Sequence, residues 1–349
     1  MSKYYDGTKL LSMKDLKGST PEIYIIESNR TDGKTTFCNR YVTNRFIKHG
    51  EKFALLYRYD YELSDVPDKF FKDIQGLFFP DYTMSAKSGG KGKYYNLFLK
   101  HGEEDEEHCG YAIAINNANY IKNNSHLFSD VARILMDEFQ PEDNRYCDRE
   151  IIKFRSIHTS IARGKNKQVR YVPVIMLSNC VSILNPYYIK LGITDRLRED
   201  TKFLRGNGFV LEHHFNESAS KAQAETGFNR AFADDEYTGY SLQNVYLNDN
   251  KTFISKVDGK CRYICTLRYL GCDYAIREYA EKGIVYCDDS ADKTYPVRIS
   301  ITTDDHDINY VMLRRNDFLL SNLRYLFEHG CFRFKNLSCK DAVLNALKY

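Results

Sequence analysis

The sequence contains no tryptophan, and none of its apolar runs approaches the length of about 18 residues that indicates a transmembrane helix. Its first residues, MSKYYDGTKLLSMKDLKGS, also lack the apolar core of a secretory signal peptide. These absences argue against a membrane-bound or secreted protein. We therefore expect a soluble, intracellular protein that has no membrane partner.

The sequence also lacks a large excess of charge of either sign, because 50 Lys and Arg residues against 47 Asp and Glu residues give a net charge of +3. This balance is too even for a histone-like or polybasic coat protein, so any contact with nucleic acid must come from a local patch. The 10 cysteines include no CxxC pair, which argues against a zinc finger. Without a secretion signal, we expect free thiols rather than a disulfide framework.

What the sequence does contain is enough apolar material for two packed domains, since 43% of its 349 residues are hydrophobic and 28% are charged. In residues 1–214, short apolar runs alternate with helical stretches, which predicts an α/β domain with a parallel sheet covered on both faces. Residues 215–245 are polar and Ala-rich and predict a small helical connector. Residues 246–349 combine strand-like runs with a helix near 316–329, which predicts a second domain of the α+β class.

A phosphate-binding motif, SNRTDGKT, joins the predicted strand 22–27 to the predicted helix 34–49. It fits G-x-x-x-x-G-K-[ST] except that Ser28 replaces the first glycine, so the loop entry must either avoid positive φ or be strained. In this geometry backbone N–H groups surround the β-phosphate of ATP, Lys34 reaches the β- and γ-phosphates, and the Thr35 hydroxyl binds Mg²⁺. The predicted nucleotide-binding residues are Ser28, Asn29, Arg30, Thr31, Asp32, Gly33, Lys34, Thr35 and Thr36.

Two adjacent acids, Asp137 and Glu138, follow a predicted apolar strand at 132–136. Neighbouring carboxylates are costly to desolvate unless they meet a cation, so this pair indicates a metal-dependent site. Alternation along the strand assigns Asp137 to the Mg²⁺ shell, through water, and Glu138 to the general base that polarises the attacking water. A solvated strand end is the alternative interpretation.

Hydrolysis also needs positive charge at the γ-phosphate, commonly from an arginine of the same chain or of a neighbouring subunit. Arg30 lies inside the loop, and Arg163 precedes the predicted strand 172–177, near a strand tip that a ring neighbour could approach. The alternative is that Arg163 is a solvated surface residue. Ser178 and Asn179 end the same strand, where they could sense the γ-phosphate or cap a helix.

Five longer stretches resemble the genome-packaging ATPases, or DNA encapsidation proteins, of small protein-primed φ29-like podoviruses. They keep the family's order and similar spacing: NRFIKHGEKFALLYRY (44–59), LMDEF (135–139), LSNCVSILNPYY (177–188), TGFNRAFADDEYTGYSLQN (226–244) and TTDDHDINYVML (302–313). The resemblance implies an additional-strand (ASCE) P-loop ATPase domain, a helical linker and an RNase H-like C-terminal domain that is a vestigial nuclease.

The same resemblance implies a homopentameric ring that uses ATP and Mg²⁺ to translocate double-stranded viral DNA into a preformed prohead. Its partners would be the prohead portal and a packaging RNA through which the ring is attached. Its location would be the host cytoplasm and, transiently, the portal vertex. It would not be expected in the mature virion.

Several site residues also follow from the resemblance. Lys34 and Thr35 match the family's loop, and Asp137 and Glu138 match its metal-binding and catalytic acids. The family's loop begins with glycine, so Ser28 is a departure.

The resemblance further implies a set of basic residues. Arg30 falls on the family's loop arginine, and Arg163 is the nearest match to its trans-acting arginine. Insertions near Arg163 shift the match to the family by a residue or two, so Arg155 is the alternative for the trans-acting arginine. Lys122 matches a second basic residue that reaches into the subunit interface.

We therefore predict a DNA-translocating ATPase, with a non-packaging P-loop DNA translocase as one alternative. A second alternative is a nuclease whose ATPase half only regulates cutting, for which the second domain offers the carboxylates of Asp273, Asp288, Asp289, Asp304, Asp305 and Asp307. In a third, the C-terminal domain only binds structured RNA or the portal. The basic and aromatic residues available for that are Arg262, Tyr263, Arg268, Tyr269, Arg314, Arg315, Arg324, Arg333 and Lys335.

Overall fold

The computed structural model describes residues 5–143, 145–163, 168–194, 196–197, 201–231, 253–312 and 317–347. The chain divides into two compact units, an N-terminal unit (Met1–Asn248) and a C-terminal unit (Asp249–Tyr349). Part of the predicted connector, including the turn expected at 234–239, lies outside the described residues. The limits at 214 and 245 therefore stay predictions.

The N-terminal unit is built on one sheet, which has nine strands within the described ranges. In chain order these are β1 (Ile23–Ser28), β2 (Lys52–Tyr57), β3 (Tyr82–Gly89), β4 (Tyr94–His101), β5 (Glu107–Ala114), β6 (Val131–Met136), β7 (Val174–Ser178), β8 (Phe203–Arg205) and β9 (Phe209–His214). Their order across the sheet is β3-β4-β5-β2-β6-β7-β1-β9-β8. All pairs from β5 to β9 in this order are parallel, whereas β3–β4, β4–β5 and β8–β9 are antiparallel.

Helices cover both faces of this sheet. The described helices of this unit are α1 (Thr8–Ser12), α2 (Lys34–His49), α3 (Val66–Phe70), α4 (Lys72–Phe78), α5 (Ala118–Asn123), α6 (Glu150–Ile161), α7 (Pro186–Leu191), α8 (Glu217–Ala224) and α9 (Gly227–Ala231). Alternate residues of β1 enter two separate cores: Ile25 packs with Ile121 of α5, and Ile26 packs with Val42 of α2. The predicted α/β fold, with a parallel sheet covered on both faces, is confirmed.

Strand β7 lies between β1, which precedes the phosphate loop, and β6, which precedes the two acids. This inserted strand defines the additional-strand class of P-loop folds, as predicted. Strands β3, β8 and β9 were not predicted from the sequence. The polar residues of β9 (FVLEHH) hide its apolar pattern; in the fold Glu212 is buried and accepts a hydrogen bond from the Tyr5 hydroxyl at 2.6 Å.

The C-terminal unit contains a second sheet and two described helices. Its strands are β10 (Arg262–Tyr269), β11 (Cys272–Tyr279), β12 (Ile284–Asp288), β13 (Arg298–Ser300), β14 (Val311–Met312) and β15 (Phe332–Phe334), and its helices are α10 (Asp317–Glu328) and α11 (Leu337–Leu347). The order β14-β13-β10-β11-β12-β15 is the RNase H-like order with β15 added at one edge, as predicted. The core combines strand residues with Leu323 of α10 and Val343 of α11. Strand β11 was not predicted, because its sequence, CDYAIREY, has no apolar run.

Candidate nucleotide-binding site

The parallel strands β1, β6 and β7 are neighbours, so their carboxyl ends meet at one edge of the sheet. A cavity of about 260 Å³ lies at this edge. Its lining consists of Arg30, Thr31, Lys34, Thr35, Asp137, Glu138, Ser178, Asn179 and Gln223. Sequence analysis had predicted all of these residues as site residues except Gln223.

The loop after β1 avoids the strain expected at Ser28. Ser28 is the last, buried residue of the strand, and the left-handed conformations fall on Thr31 (φ 59°) and Gly33 (φ 95°). Glycine adopts this conformation at little cost, whereas threonine is an unusual residue there. Gly33 leads directly into the 16-residue helix α2, whose first residues, Lys34 and Thr35, line the cavity. The N-terminus of this helix therefore favours an anion in the cavity.

Neutral oxygen atoms hold Lys34 in the cavity. Its ammonium group donates to Asn179 Oδ1 at 2.6 Å and to the Asn29 carbonyl oxygen at 3.5 Å. Burial lowers the pKa of Lys34, and the negative charge of Asp137 opposes this effect. A phosphate oxygen is a stronger, charge-assisted acceptor than these neutral groups. Lys34 is therefore suited to bind an anion that enters the cavity.

Thr35 and Asp137 meet across the cavity. The Thr35 hydroxyl donates to Asp137 Oδ2 at 2.9 Å, and Asp137 Oδ1 accepts from the backbone N–H of Glu138 at 2.9 Å. Burial raises the pKa of Asp137, while the hydrogen bond from Thr35 and the charge of Lys34 oppose the increase. A hydroxyl and a carboxylate fit Mg²⁺, which prefers oxygen ligands and keeps several of its waters. Thr35 and Asp137 are thus the residues that could hold this ion.

Glu138 has an uncommon backbone conformation, with φ of 51° in the left-handed region. Such a residue costs roughly 1–3 kcal/mol. The turn allows Phe139 to enter the core, where its N–H donates to the Leu177 carbonyl oxygen at 3.0 Å, while the Glu138 side chain stays at the exposed mouth of the cavity. Partial desolvation of its carboxyl group and the adjacent charge of Asp137 raise the pKa of Glu138. A carboxylate of raised basicity beside an anion-binding cavity is suited to accept a proton.

Arg30 and Ser178 complete the lining of the cavity. Arg30 forms an ion pair with Glu142, which follows the two acids in the chain. The Ser178 hydroxyl donates to the Asn179 carbonyl oxygen at 2.7 Å, so it stabilises the turn after β7. This turn places Asn179 on Lys34 and joins the end of β7 to the phosphate loop.

Five of the predicted loop residues, Ser28, Asn29, Asp32, Gly33 and Thr36, do not line the cavity. Asn29 and Asp32 are buried, and they contact the end of β9 and the segment after it: Asn29 Nδ2 donates to the Asn216 carbonyl oxygen at 3.2 Å, and Asp32 Oδ1 lies 3.4 Å from His214 Nε2. Thr36 is half-buried in the first turn of α2. The side chains of Asn29 and Asp32 thus anchor the loop. No motif indicated His214 or Asn216, which lie far from the loop in sequence.

A buried polar network fixes the end of β1 just before the loop. Glu27 Oε1 accepts from Gln140 Nε2 at 2.8 Å, and Glu27 Oε2 lies 3.0 Å from His213 Nδ1. Ligand atoms of Glu27, Cys180 and His213 lie within 4.8 Å of one another, a spacing that a metal ion could use. Because both Glu27 oxygens already have protein partners, we interpret the cluster as a hydrogen-bonded network that links β1 to β9.

Helix α6 runs from the carboxyl edge of the sheet to its amino edge. At its start Glu150 pairs with Arg58, which follows β2, at 2.9 Å. At its end the Ile161 carbonyl oxygen accepts from Arg170 at 2.6 Å, and Arg170 also donates to the carbonyl oxygen of Val131, the first residue of β6, at 3.0 Å. At 1.5 Å per residue the 12 residues of α6 span about 18 Å.

The basic residues predicted for a subunit interface therefore lie away from the cavity of their own chain. Arg163 is exposed just beyond the end of α6, at the edge of the sheet opposite the cavity. Arg155, on α6, and Lys122, on α5, are also exposed and do not line the cavity. The length of α6 therefore separates Arg163 from the cavity of its own chain.

In the C-terminal unit, ion pairs occupy most of the acids that a nuclease would need. These pairs are Arg268–Asp273 (2.8 Å), Arg277–Asp288 (2.7 Å), Arg268–Asp307 (3.2 Å) and Lys335–Asp289. Asp305 accepts from the backbone N–H groups of Leu270 and Gly271 at 2.8 and 2.7 Å, which stabilises the turn between β10 and β11.

Several of the basic residues considered for RNA or portal binding also have partners within the C-terminal unit. Arg262 pairs with Glu278 at 2.6 Å, and Arg324 donates to the Leu347 carbonyl oxygen at 3.0 Å. Arg333 donates to the carbonyl oxygens of Gly330 and Phe332, at 2.8 and 2.6 Å. Arg314 and Arg315 lie outside the described residues.

The inserted strand β7 and the phosphate loop together define the N-terminal unit as a P-loop domain of the additional-strand ATPase class. Residues 1–348 match the family model described as podovirus DNA encapsidation protein (Gp16), and the chain belongs to this family. The resemblance that the sequence analysis identified is confirmed.

Individual relatives agree with the family. The chain is 26% identical over 339 residues to the DNA packaging protein of Bacillus phage phi29, a match that covers 96% of this chain and 94% of the relative. It is 24% identical over 308 residues to that of Bacillus phage B103, covering 87% and 89%. Its fold matches a chain of the bacteriophage phi29 viral genome packaging motor assembly with a TM-score of 0.70, 24% identity and 99% coverage of both chains. Among the described helices, none is both long and apolar enough to span a membrane.

Proposed function

We propose that this protein is the ATP-hydrolysing subunit of a motor that translocates double-stranded viral DNA into a preformed prohead. The observation that carries the proposal is the meeting of Lys34, Thr35, Asp137 and Glu138 on one cavity of an additional-strand sheet, in a chain of the DNA encapsidation family. The phage phi29 and B103 relatives, which match along most of the chain, are DNA packaging proteins.

In the proposed reaction the β- and γ-phosphates of ATP lie against the Lys34 ammonium and the N–H groups at the start of α2. Thr35 and Asp137 would hold Mg²⁺, which supplies positive charge between the phosphates. Glu138 accepts the proton of the attacking water while the water oxygen bonds to the γ-phosphorus and the bond to ADP breaks. Asn179 gives up its contact with Lys34 when phosphate arrives, so we propose Ser178 and Asn179 as the residues that respond to the γ-phosphate.

The arginine that stabilises the transition state is proposed to come from a neighbouring subunit. Arg163 lies at the amino edge of the sheet, whereas the cavity lies at the carboxyl edge. A ring that packs the amino edge of one subunit on the cavity of the next would bring Arg163 to the γ-phosphate. Arg155 is the fallback, and Lys122 is the second basic residue proposed for this interface. We propose a homopentamer, as in our sequence prediction.

The proposed partners are double-stranded viral DNA, the prohead portal, a packaging RNA and further copies of this chain. The phi29 assembly that shares this fold is a viral genome packaging motor. We place the motor in the host cytoplasm, at the portal vertex during packaging. We keep the predicted domain organisation as a proposal: an ATPase domain over residues 1–214, a connector over 215–245 and a C-terminal domain over 246–349.

A nuclease is the less favoured alternative. Cleavage by a two-metal site needs several carboxylates that converge on the ions. Strand β10, at the centre of the C-terminal sheet, carries no carboxylate, and ion pairs with arginine or lysine neutralise Asp273, Asp288 and Asp289. The C-terminal unit is therefore proposed to bind nucleic acid or the portal without cutting DNA.

Packaging itself provides the direct test. The full chain, mixed with proheads, viral DNA, ATP and Mg²⁺, should render the DNA resistant to DNase. Lys34→Ala should abolish both ATP binding and DNA protection, whereas Lys48→Ala, at the exposed end of the same helix, should retain both. ATP-independent protection by Lys34→Ala would refute the proposal. Nicking of supercoiled DNA in Mn²⁺ that is lost in Asp288→Asn would instead support the nuclease.

A further inference from the structure

Helix α8 brings one side chain to the cavity that no sequence motif indicates. The helix begins shortly after β9 and is capped by Asn216, whose side chain accepts a hydrogen bond from the Ala219 N–H at 3.1 Å. Most residues of α8 are exposed, but Ala219, Ser220 and Gln223 are half-buried. Positions three and four residues apart share one face of a helix. This face carries Gln223 to the cavity.

The start of α8 is attached to the phosphate loop by two buried contacts. Asn29 and Asn216 form a reciprocal pair: Asn29 Nδ2 donates to the Asn216 carbonyl oxygen at 3.2 Å, and the Asn216 N–H donates to Asn29 Oδ1 at 3.0 Å. Asp32 and His214 form the second contact, with 3.4 Å between Oδ1 and Nε2. Asn29 is 1% exposed and Asp32 is 0% exposed. The position of α8 is therefore defined relative to the loop.

Gln223 lines the same cavity as the residues that we propose to bind the terminal phosphates. The backbone carbonyl oxygen of Gln223 accepts from Asn229 Nδ2 at 2.8 Å and from the Thr226 hydroxyl at 2.9 Å, so backbone contacts hold the residue in place. Gln223 shares the lining with Lys34, Asp137 and Glu138. A glutamine amide offers two N–H donors without adding charge, which suits a phosphate oxygen beside two carboxylates.

We propose that the Gln223 side chain is a ligand of the terminal phosphate of the bound nucleoside triphosphate. This inference rests on the proposed function and adds a residue to it. Because α8 belongs to the predicted connector, loss of that phosphate on hydrolysis removes a contact between the cavity and the connector. The Asn29–Asn216 pair keeps the start of the helix on the loop, so the change is confined to its C-terminal end.

Binding measurements on the full chain test this proposal. In the Glu138→Gln background, which should bind but not hydrolyse ATP, calorimetric titration with ATP and with ADP gives the ratio of the two affinities. Gln223→Ala should weaken ATP binding about 10-fold, the effect of one hydrogen bond to a charged group, and leave ADP binding within about twofold. Gln223→Glu should weaken ATP binding further, because it places a carboxylate near the phosphates. Lys221→Ala, in the exposed Lys221–Glu217 pair of the same helix, is the matched control and should change neither.

Several outcomes of these titrations would overturn the assignment of Gln223. Equal losses for ATP and ADP, or no loss for ATP, would overturn Gln223 as a ligand of the terminal phosphate. Unchanged ATP affinity with reduced hydrolysis, measured for Gln223→Ala in the wild-type background, would mean that the amide positions the attacking water, which also overturns the proposal. Failure of the proposed function is separate: in that case the background protein itself would not bind ATP, or Lys34→Ala would bind it normally. Coincident thermal unfolding curves would exclude misfolding as the cause of any loss.

Discussion

Two strands of this protein end in the same way but in different surroundings. Strand β6 ends in ILM and is followed by Asp137 and Glu138, and strand β12 ends in IVYC and Asp288 and is followed by Asp289. Asp137 contacts a hydroxyl and a backbone N–H, and burial raises its pKa. Asp288 pairs instead with Arg277, and Asp289 pairs with Lys335.

This difference teaches that an adjacent pair of acids after an apolar strand does not by itself identify a metal site. The groups that contact the two acids determine whether the pair can bind a metal ion. Asp137 accepts hydrogen bonds from a hydroxyl and an N–H group and can still serve as a ligand of a cation, whereas Asp288 already forms an ion pair with Arg277. We propose that the first arrangement serves ligand binding, and we interpret the second as a stabilising ion pair.

The largest expected effect separates the two acid pairs directly. Glu138→Gln should lower ATP turnover by about 10²- to 10⁴-fold, the usual contribution of a general base, while ATP still binds. Asp289→Asn is the matched change at the equivalent position after β12, and turnover should stay within about twofold, the level expected of a residue with no part in the chemistry. Steady-state ATPase assays of both variants in the presence of proheads measure the difference. Wild-type turnover in Glu138→Gln would show that another group is the base.

A mixing experiment tests whether the Asp137–Glu138 cavity is completed by a second chain. Arg163→Ala should reduce turnover by about 10³-fold or more, as removal of such arginines does elsewhere. When Arg163→Ala and Glu138→Gln subunits are mixed, some interfaces pair an intact Glu138 with a neighbour's intact Arg163, and measurable turnover should return. No recovery at any ratio would exclude an arginine acting between subunits. Full activity of Arg163→Ala alone would transfer the role to Arg155 or Lys122.

A smaller effect is expected in the C-terminal unit, and on stability rather than turnover. Arg277→Ala leaves the mostly buried Asp288 without its cationic partner, which should lower the free energy of unfolding by roughly 2–3 kcal/mol. Asp288→Asn added to Arg277→Ala should restore part of this loss, because no unpaired charge remains. Urea unfolding of the full chain measures these values. Equal stability of the single and double variants would show that the pair contributes little.

The smallest effect concerns pH and the anchor of the phosphate loop. The contact with Asp32 raises the pKa of His214, even though burial opposes the rise, and the charge of Glu212 adds to it while that of Lys202 opposes it. A raised histidine pKa contributes stability that is complete below its unfolded value, about 6.5, and is lost as the pH rises through the folded value. The stability difference between wild type and His214→Gln should therefore shrink as the pH is raised above this range.

The exposed His126 provides the control for this measurement. His126→Gln replaces an exposed histidine that is not part of the loop anchor, and it is measured at the same pH values so that the general effect of replacing a surface histidine can be subtracted. A difference between wild type and His214→Gln that does not change with pH would show that the Asp32–His214 contact is not coupled to protonation.

The sequence predicted the parts of the site that depend on local pattern. The helix α2 was predicted with its observed bounds, because a glycine lies at each end of its sequence. In the structure both glycines, Gly33 and Gly50, adopt left-handed conformations. The strand before Asp137 was predicted from its apolar run. The additional strand β7, with Ser178 at its end, was predicted in the same way.

The contacts that anchor the loop could not be predicted. Asn29 and Asn216 are 187 residues apart, and each is an ordinary polar residue in its own segment. Gln223 reaches the cavity only because β9 adds to the sheet beside β1, and β9 itself was missed. Strand β11 was missed for a related reason, since its burial depends on its two neighbours rather than on an apolar run of its own.

The left-handed conformation of Glu138 also restricts how this protein can evolve. Glycine and asparagine adopt φ near 51° more readily than glutamate does, so a selection for thermal stability alone would favour them at position 138. The same replacements would remove the carboxylate from the mouth of the cavity. Stability and activity therefore make opposite demands on this single position, and a library screened for heat resistance should enrich variants that no longer turn over ATP.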